Sequence, residues 1–366
     1  MQELLHRLHL RRTLSTGVQL QLVRVSMMSH LTQSMVHVAI GRIARSELEK
    51  LVSPVVVEDD NLLLGASSAA PGRHRALRAR TWGGEPSVEL NQELARPDGP
   101  PLCMALPPTI GGLLSFCRVC AAAAERKRLL FVIDLRPGFT GTFPQGADPA
   151  EEIYFDVAEA LRGNPPMKEC SELEVALAAT LWKLWCRRSP VALARFCASG
   201  SALHPQLANL GRYLAGRFPR QAGDTLSLAR FDELLLRQLS REWITSTRVF
   251  TNAVRENLGL HAWLAHMGDL YVPKRLLEWA RHDQGRIVEC EERPERPSEM
   301  SRWAFRWRPG GEAILEALPR LEDAPPVSVG GAVAYDAAHP WVCRLDAAGT
   351  PYLSRLGATP ASDRPA

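Results

Sequence analysis

Three acids close the second strand-like run of the chain, where Val55-Val56-Val57 is followed by Glu58-Asp59-Asp60. A further acid, Asp134, lies near the end of the apolar run LLFVIDL (129–135), Arg136 directly follows that run, and Arg42 stands one residue past the strand-like segment 36–40. Carboxylates at the carboxyl ends of neighbouring strands could bind a divalent cation or work as an acid–base pair, here Asp59, Asp60 and Asp134. An arginine in a strand-to-helix turn could hold a phosphate or carboxylate, which makes Arg42 and Arg136 candidate anion ligands. The structural alternative is that the acids cap helices or pair with Arg73, Arg75, Arg78 and Arg80. The loop GFTGT (138–142) leaves the same edge, and its Thr140 and Thr142 offer hydroxyls. It matches neither a P-loop nor a dinucleotide fingerprint and reads first as a flexible linker.

Other chemistry-bearing residues point to packing. Cys117 and Cys120 form a C-x-x-C inside a helical apolar run, with no second ligand pair at zinc spacing, so no metal site is expected. His37 sits between Val36 and Val38 on a buried strand and reads as a core histidine. His261 and His266 are five residues apart, which does not place them on one helix face. No nucleophile–base set and no cofactor fingerprint appears, so the cofactor is unknown.

The elements that must position these residues alternate in type. Strands are expected at 36–40, 55–57, 102–106 and 129–135, with helices at 44–52, 73–82 and 110–128. Four strands separated by helices predict a Rossmann-like parallel α/β sheet over about 35–150. Gly41 serves the tight turn after the first strand. Past the Gly/Pro loop at 136–152 the chain is mainly helical, and Ser171 with Glu174 forms a capping box. Leu173, Leu177, Leu181 and Leu184 are expected on the buried face of that helix, widened by Trp182 and Trp185.

The last third reads as a winged-helix-like module over about 265–320, closing a helical domain of 151–321. A helix carries Lys274, Arg275 and Arg281, strands follow at 286–290 and 303–308, and Arg306 and Arg308 lie on one strand face. These five cations are the candidate contacts to nucleic acid or a partner. The intervening EERPERPSEM (291–300) holds four glutamates against two arginines. A wing that grips phosphates should be basic, so the acidic wing argues for a protein-facing or purely structural module over a DNA-binding one. Residues 322–366 read as a poorly ordered tail or loosely attached strands.

The 366 residues are ample for two cores, and a net charge of +4 is too small to imply nucleic acid by itself. Eight cysteines without a secreted disulfide framework point to a reducing, cytoplasmic compartment. No apolar run approaches a membrane span. Residues 1–34 are rich in Arg, Ser and Thr, as transit peptides are; the simpler reading is an over-extended start before Met27, Met28 or Met35.

The stretches VHVAIG, VVVEDDNLLLGA, RHRALRARTWG, PLCMALPPTIGGLLSFCRVC and LLFVIDL together resemble the bacterial family called domain of unknown function 1835. The later FDELLLRQLSREWITSTRVFTNAV and MGDLYVPKRLLEWARHDQGRIVEC are similar to its partner, domain of unknown function 3658. The resemblance covers most of residues 36–310 and implies an α/β domain followed by a helical one, with no activity attached. Family members often carry a Gly-Asp-Ser-like turn after the first strand; Arg42 and Ile43 stand there instead, so serine chemistry is not expected. Two functional readings follow. One is a non-enzymatic regulator or adaptor that senses a small anionic ligand or a partner. The other is an enzyme acting on a phosphorylated or carboxylated small molecule through the strand-end acids.

Overall fold

The structure is a computed structural model and describes residues 35–107, 109–135, 166–200, 205–256, 271–295 and 299–357. The chain runs β1 (Val36–Ile40), α1 (Arg42–Leu48), β2 (Val55–Glu58), β3 (Gly65–Ala66), α2 (Pro71–Trp82), α3 (Val88–Ala95), β4 (Leu102–Leu106), α4 (Ile110–Glu125) and β5 (Leu130–Asp134). It continues through β6 (Met167–Glu169), α5 (Glu172–Trp185), α6 (Val191–Gly200), α7 (Pro205–Arg217), β7 (Arg220–Ala222) and β8 (Thr225–Ser227). Then come α8 (Arg230–Leu236), β9 (Ile244–Thr245), α9 (Ser246–Glu256), α10 (Tyr271–Arg281), β10 (Val288–Glu292) and β11 (Trp303–Trp307). The chain closes with β12 (Val327–Gly330), β13 (Ala332–Ala334), β14 (Trp341–Leu345) and β15 (Pro351–Arg355).

The central sheet has the order β2-β1-β4-β5-β6. The expected strands all pair parallel, β1 with β2 and β4, and β4 with β5, while β6 joins antiparallel. Both faces are covered, which is why these strands are continuous apolar runs rather than alternating ones. Val36, Val38 and Met104 point into the large core with α4; Ala39 and Ala105 point into a small one with Ala44 and Leu48 of α1. Strand order reverses between β1 and β4, where Gly41 turns the chain with φ +84° and gives its N–H to Glu58 O at 2.8 Å. Only glycine adopts that conformation without strain.

The helix α5 starts at the expected capping box, with Ser171 Oγ accepting from Glu174 N. Its buried face differs from expectation. Ala178, Leu181, Trp182 and Trp185 pack inward, while Leu173 and Leu177 are exposed, at 69% and 36%. Apolar spacing had marked the leucines, but the close neighbour α4 admits the alanine side.

The C-terminal segment is also corrected. Residues 327–357 are woven into the rest of the chain: β12 runs parallel to β3, and β14 pairs with β7 as well as β15. Gly330 and Gly331 lie against the carbonyls of Trp185 and Cys186, so close that no Cβ fits at either position. One buried apolar cluster extends from Val36 to Leu353. The expected domain boundary near 150–165 falls outside the described residues.

Candidate functional site

The acids that end β2 are turned inward and bonded. Glu58 is 1% exposed. Its Oε2 accepts from Arg118 Nη1 of α4, and its Oε1 accepts from the Ser87 hydroxyl. Asp59 Oδ1 accepts from Ser87 N at 2.6 Å, which fixes the start of α3 against the strand end. Arg118 also gives Nη2 to Asn91 Oδ1 of α3. Three segments distant in sequence, the end of β2, α3 and α4, are thus joined around one carboxylate.

Asp60 anchors a second network. The spacing of His74, Arg78 and Trp82 puts all three on one face of α2, which is turned toward this acid. Arg78 Nε donates to both carboxylate oxygens at 2.8 Å, and Trp82 Nε1 donates to Oδ1 at 3.0 Å. The same guanidinium donates to the carbonyls of Asn61, Leu64 and Ala66, so it also clamps the loop after β2. Burial pushes the Asp60 carboxyl up, but His74, Arg78 and Trp82 more than reverse this and bring it down to about 2. His74 Nε2 stands 3.7 Å from Asp60 Oδ2, outside hydrogen-bonding distance. Burial holds the His74 imidazole below its usual range, against the pull of Asp60 and aided by Arg118. His74 Nδ1 accepts from Ser68 N at 3.4 Å, so the ring is the Nε2–H tautomer.

A cleft of about 230 Å³ opens beside this cluster. Its cations are Arg75, Arg118 and Arg126, its lone carboxylate among the described lining residues is Glu125, and His74 forms part of the wall. The rest is mainly apolar, from Leu94, Ala121, Ala122 and Trp182, whose ring meets His74 edge-on at 5.4 Å between centroids. Arg118 is 7% exposed, whereas Arg75 and Glu125 are exposed at the rim.

The strand-end acids do not converge. In the order β2-β1-β4-β5 two strands separate Asp60 from Asp134, a distance of roughly 14 Å at ordinary strand spacing. Asp134 belongs instead to a second cleft with Leu113, Phe116, Leu181 and Lys168. Asp59, Asp60 and Asp134 therefore do not form one acid–base or metal-binding set. Among the described residues no group of three or more His, Cys, Asp or Glu is placed to hold a metal ion. Arg42 opens α1, which packs on the sheet face opposite α4 and its cleft. Arg136, Thr140 and Thr142 lie outside the described residues.

The cations expected to meet a partner are largely engaged within the chain. Arg275 is 1% exposed and bonded to both oxygens of Asp232 at 2.7 and 2.8 Å, which removes it from any surface. Lys274 donates to Thr81 O at 2.7 Å and lies 4.3 Å over the Trp82 ring, fastening α10 to the end of α2. Arg306 and Arg308 share Glu289, at 2.7 and 3.2 Å. Arg281 is exposed. Cys117 and Cys120 are fully buried, and burial raises both thiols, so the pair is core as expected.

Sequence reasoning missed Ser87, Asn91 and Arg118, which carry no local signal. The four-residue spacing of His74, Arg78 and Trp82 is the one signal in the sequence that sets Arg78 apart from Arg73, Arg75 and Arg80. Among the described residues no helix is long and apolar enough to cross a membrane. No protein-family model matches the chain, and no curated protein matches it.

Proposed function

We propose that this protein is a non-enzymatic, anion-responsive regulator, whose ligand sits in the cleft among α2, α3, α4 and Trp182. The observation that carries the reading is the distribution of charge at the sheet edge. Asp60 is held by Arg78 and Glu58 by Arg118, and Arg118 also lines the adjacent cleft together with Arg75 and Arg126, where Glu125 is the one carboxylate among the described lining residues. Carboxylates locked in ion pairs are poorly placed to move protons or bind a cation, whereas clustered arginines favour an anion. This moves the ligand from the Arg42 turn to the other face of the sheet.

The partner-facing part of the proposal is the segment 230–307. Its order α8–β9–α9–α10–β10–β11, with the antiparallel sheet β10-β11-β9, supports a winged-helix-like module. Lys274, Arg275, Arg306 and Arg308 are engaged internally and the hairpin carries Glu289, Glu291, Glu292 and Glu295, which favours a protein partner over DNA. The proposal also sets the chain beside domain of unknown function 1835. The quoted residues Asp60, Arg78 and Trp82 form one bonded unit, which supplies a physical reason for that motif.

The test is a thermal-shift screen of the full chain with small anions and their uncharged analogues, repeated on Ala122→Phe, which fills the cleft without touching an ion pair. At least one anion is expected to stabilise the wild type and not the variant. Absence of any anion-specific shift overturns the reading.

A further inference from the structure

We infer that the cleft takes an organic monocarboxylate with a compact apolar body, of the aromatic-acid class. This rests on the anion-binding reading above and names its ligand. The inference starts from Arg118. Its side chain is 8% exposed, and it lines the cleft rather than closing into the core. It donates once to Glu58 and once to Asn91. A guanidinium has five N–H groups, so three remain without a partner among the described residues. The two bonds it does make hold the plane in place. Glu58 is itself fixed by Ser87, so the donor set is assembled before any ligand arrives and little side-chain freedom is lost on binding.

The walls define what accompanies the anionic group. Most of the wall is apolar, from Leu94, Ala121, Ala122 and Trp182, and its uncharged polar members, Ser68, His74 and Asn91, are few. A sugar phosphate carries more hydroxyls than these few groups can meet, and each one buried against the apolar wall without a partner costs about 1–3 kcal/mol. A ring or short hydrocarbon gains by the same burial. The available space, about 230 Å³, exceeds the ~150 Å³ that accommodates benzene in an apolar cavity, which leaves room for one ring with a carboxylate. Charge points the same way. Arg126 has Glu125 at 3.7 Å and Arg118 has Glu58, so the cations are already partly compensated and suit one negative charge better than two.

The experiment compares benzoate, benzamide and inorganic phosphate by thermal shift and calorimetric titration on the full chain. Benzoate is expected to raise the melting temperature by several degrees at saturation, with benzamide and phosphate leaving it within about a degree. Arg118→Gln should abolish the benzoate shift. Because that variant also strands Glu58, Ala122→Phe is the second arm; it should keep the wild-type melting temperature in buffer and lose the shift. A shift with phosphate and none with benzoate overturns the ligand class while the anion-binding reading stands. Equal shifts with benzoate and benzamide overturn both, and no shift with any of the three overturns the ligand class, leaving the anion-binding reading to the wider screen of anions. A benzoate shift that survives Ala122→Phe removes the ligand from this cleft and refutes the inference.

Discussion

Replacing Arg78 with methionine should be among the most damaging single changes in the α/β part of the chain. Methionine fills much of the same volume but carries neither charge nor donors. Arg78 is 1% exposed, and its five N–H groups serve the Asp60 carboxylate and the carbonyls of Asn61, Leu64 and Ala66. The variant leaves Asp60, 6% exposed, as a buried carboxylate facing only Trp82 and a neutral His74. Removing one partner of a buried pair costs about 3–5 kcal/mol, a large share of the roughly 5–15 kcal/mol that holds a domain together. The assay is urea unfolding followed by tryptophan fluorescence, which reports directly because Trp82 belongs to the cluster. Arg78→Met alone should lose about 3–5 kcal/mol, and adding Asp60→Asn should restore part of it because no uncompensated charge remains. A loss below about 1 kcal/mol, or additive single losses, would refute the claim that the two form one buried unit.

Acid should destabilise the protein in two stages. His74 is held below its usual 6.5 when folded, so its contribution is present above that pH and declines as pH falls through the folded value; His74→Gln should remove this first stage. Asp60, held at about 2 against an ordinary 3.8, contributes about 2 kcal/mol above pH 4, lost between pH 4 and 2. Urea midpoints from pH 7 downward check both. Gly331→Ala forces a Cβ into the Cys186 carbonyl and should cost at least about 1–3 kcal/mol while exposing the 326–357 segment to limited proteolysis. Lys274→Ala removes a cation over Trp82 and a donor to Thr81 O, and should lower stability by about 1 kcal/mol, read by the same unfolding assay.

The local features of this protein are legible in its sequence. Continuous apolar runs between helical periods determined a parallel sheet buried on both faces, and the observed pairings of β1, β2, β4 and β5 agree. Ser171 with Glu174 determined where α5 begins, and Gly41 determined the turn after β1, because capping and a positive φ depend on a few adjacent residues. Which charges meet is fixed by tertiary packing. Glu58 found Arg118, 60 positions away, and Asp60 found Arg78, 18 away, although Arg73, Arg75 and Arg80 offered the same chemistry along the same helix. It decided that Arg275 is a buried partner of Asp232 rather than a surface contact, and that the exposed leucines of α5 lie off its packed face. It also wove the C-terminal strands into β3 and β7, far from them in the chain. Periodicity reports which side of an element is apolar. Which neighbour that side meets, and which of several equivalent arginines reaches a given carboxylate, depends on contacts between distant segments that no local spacing encodes.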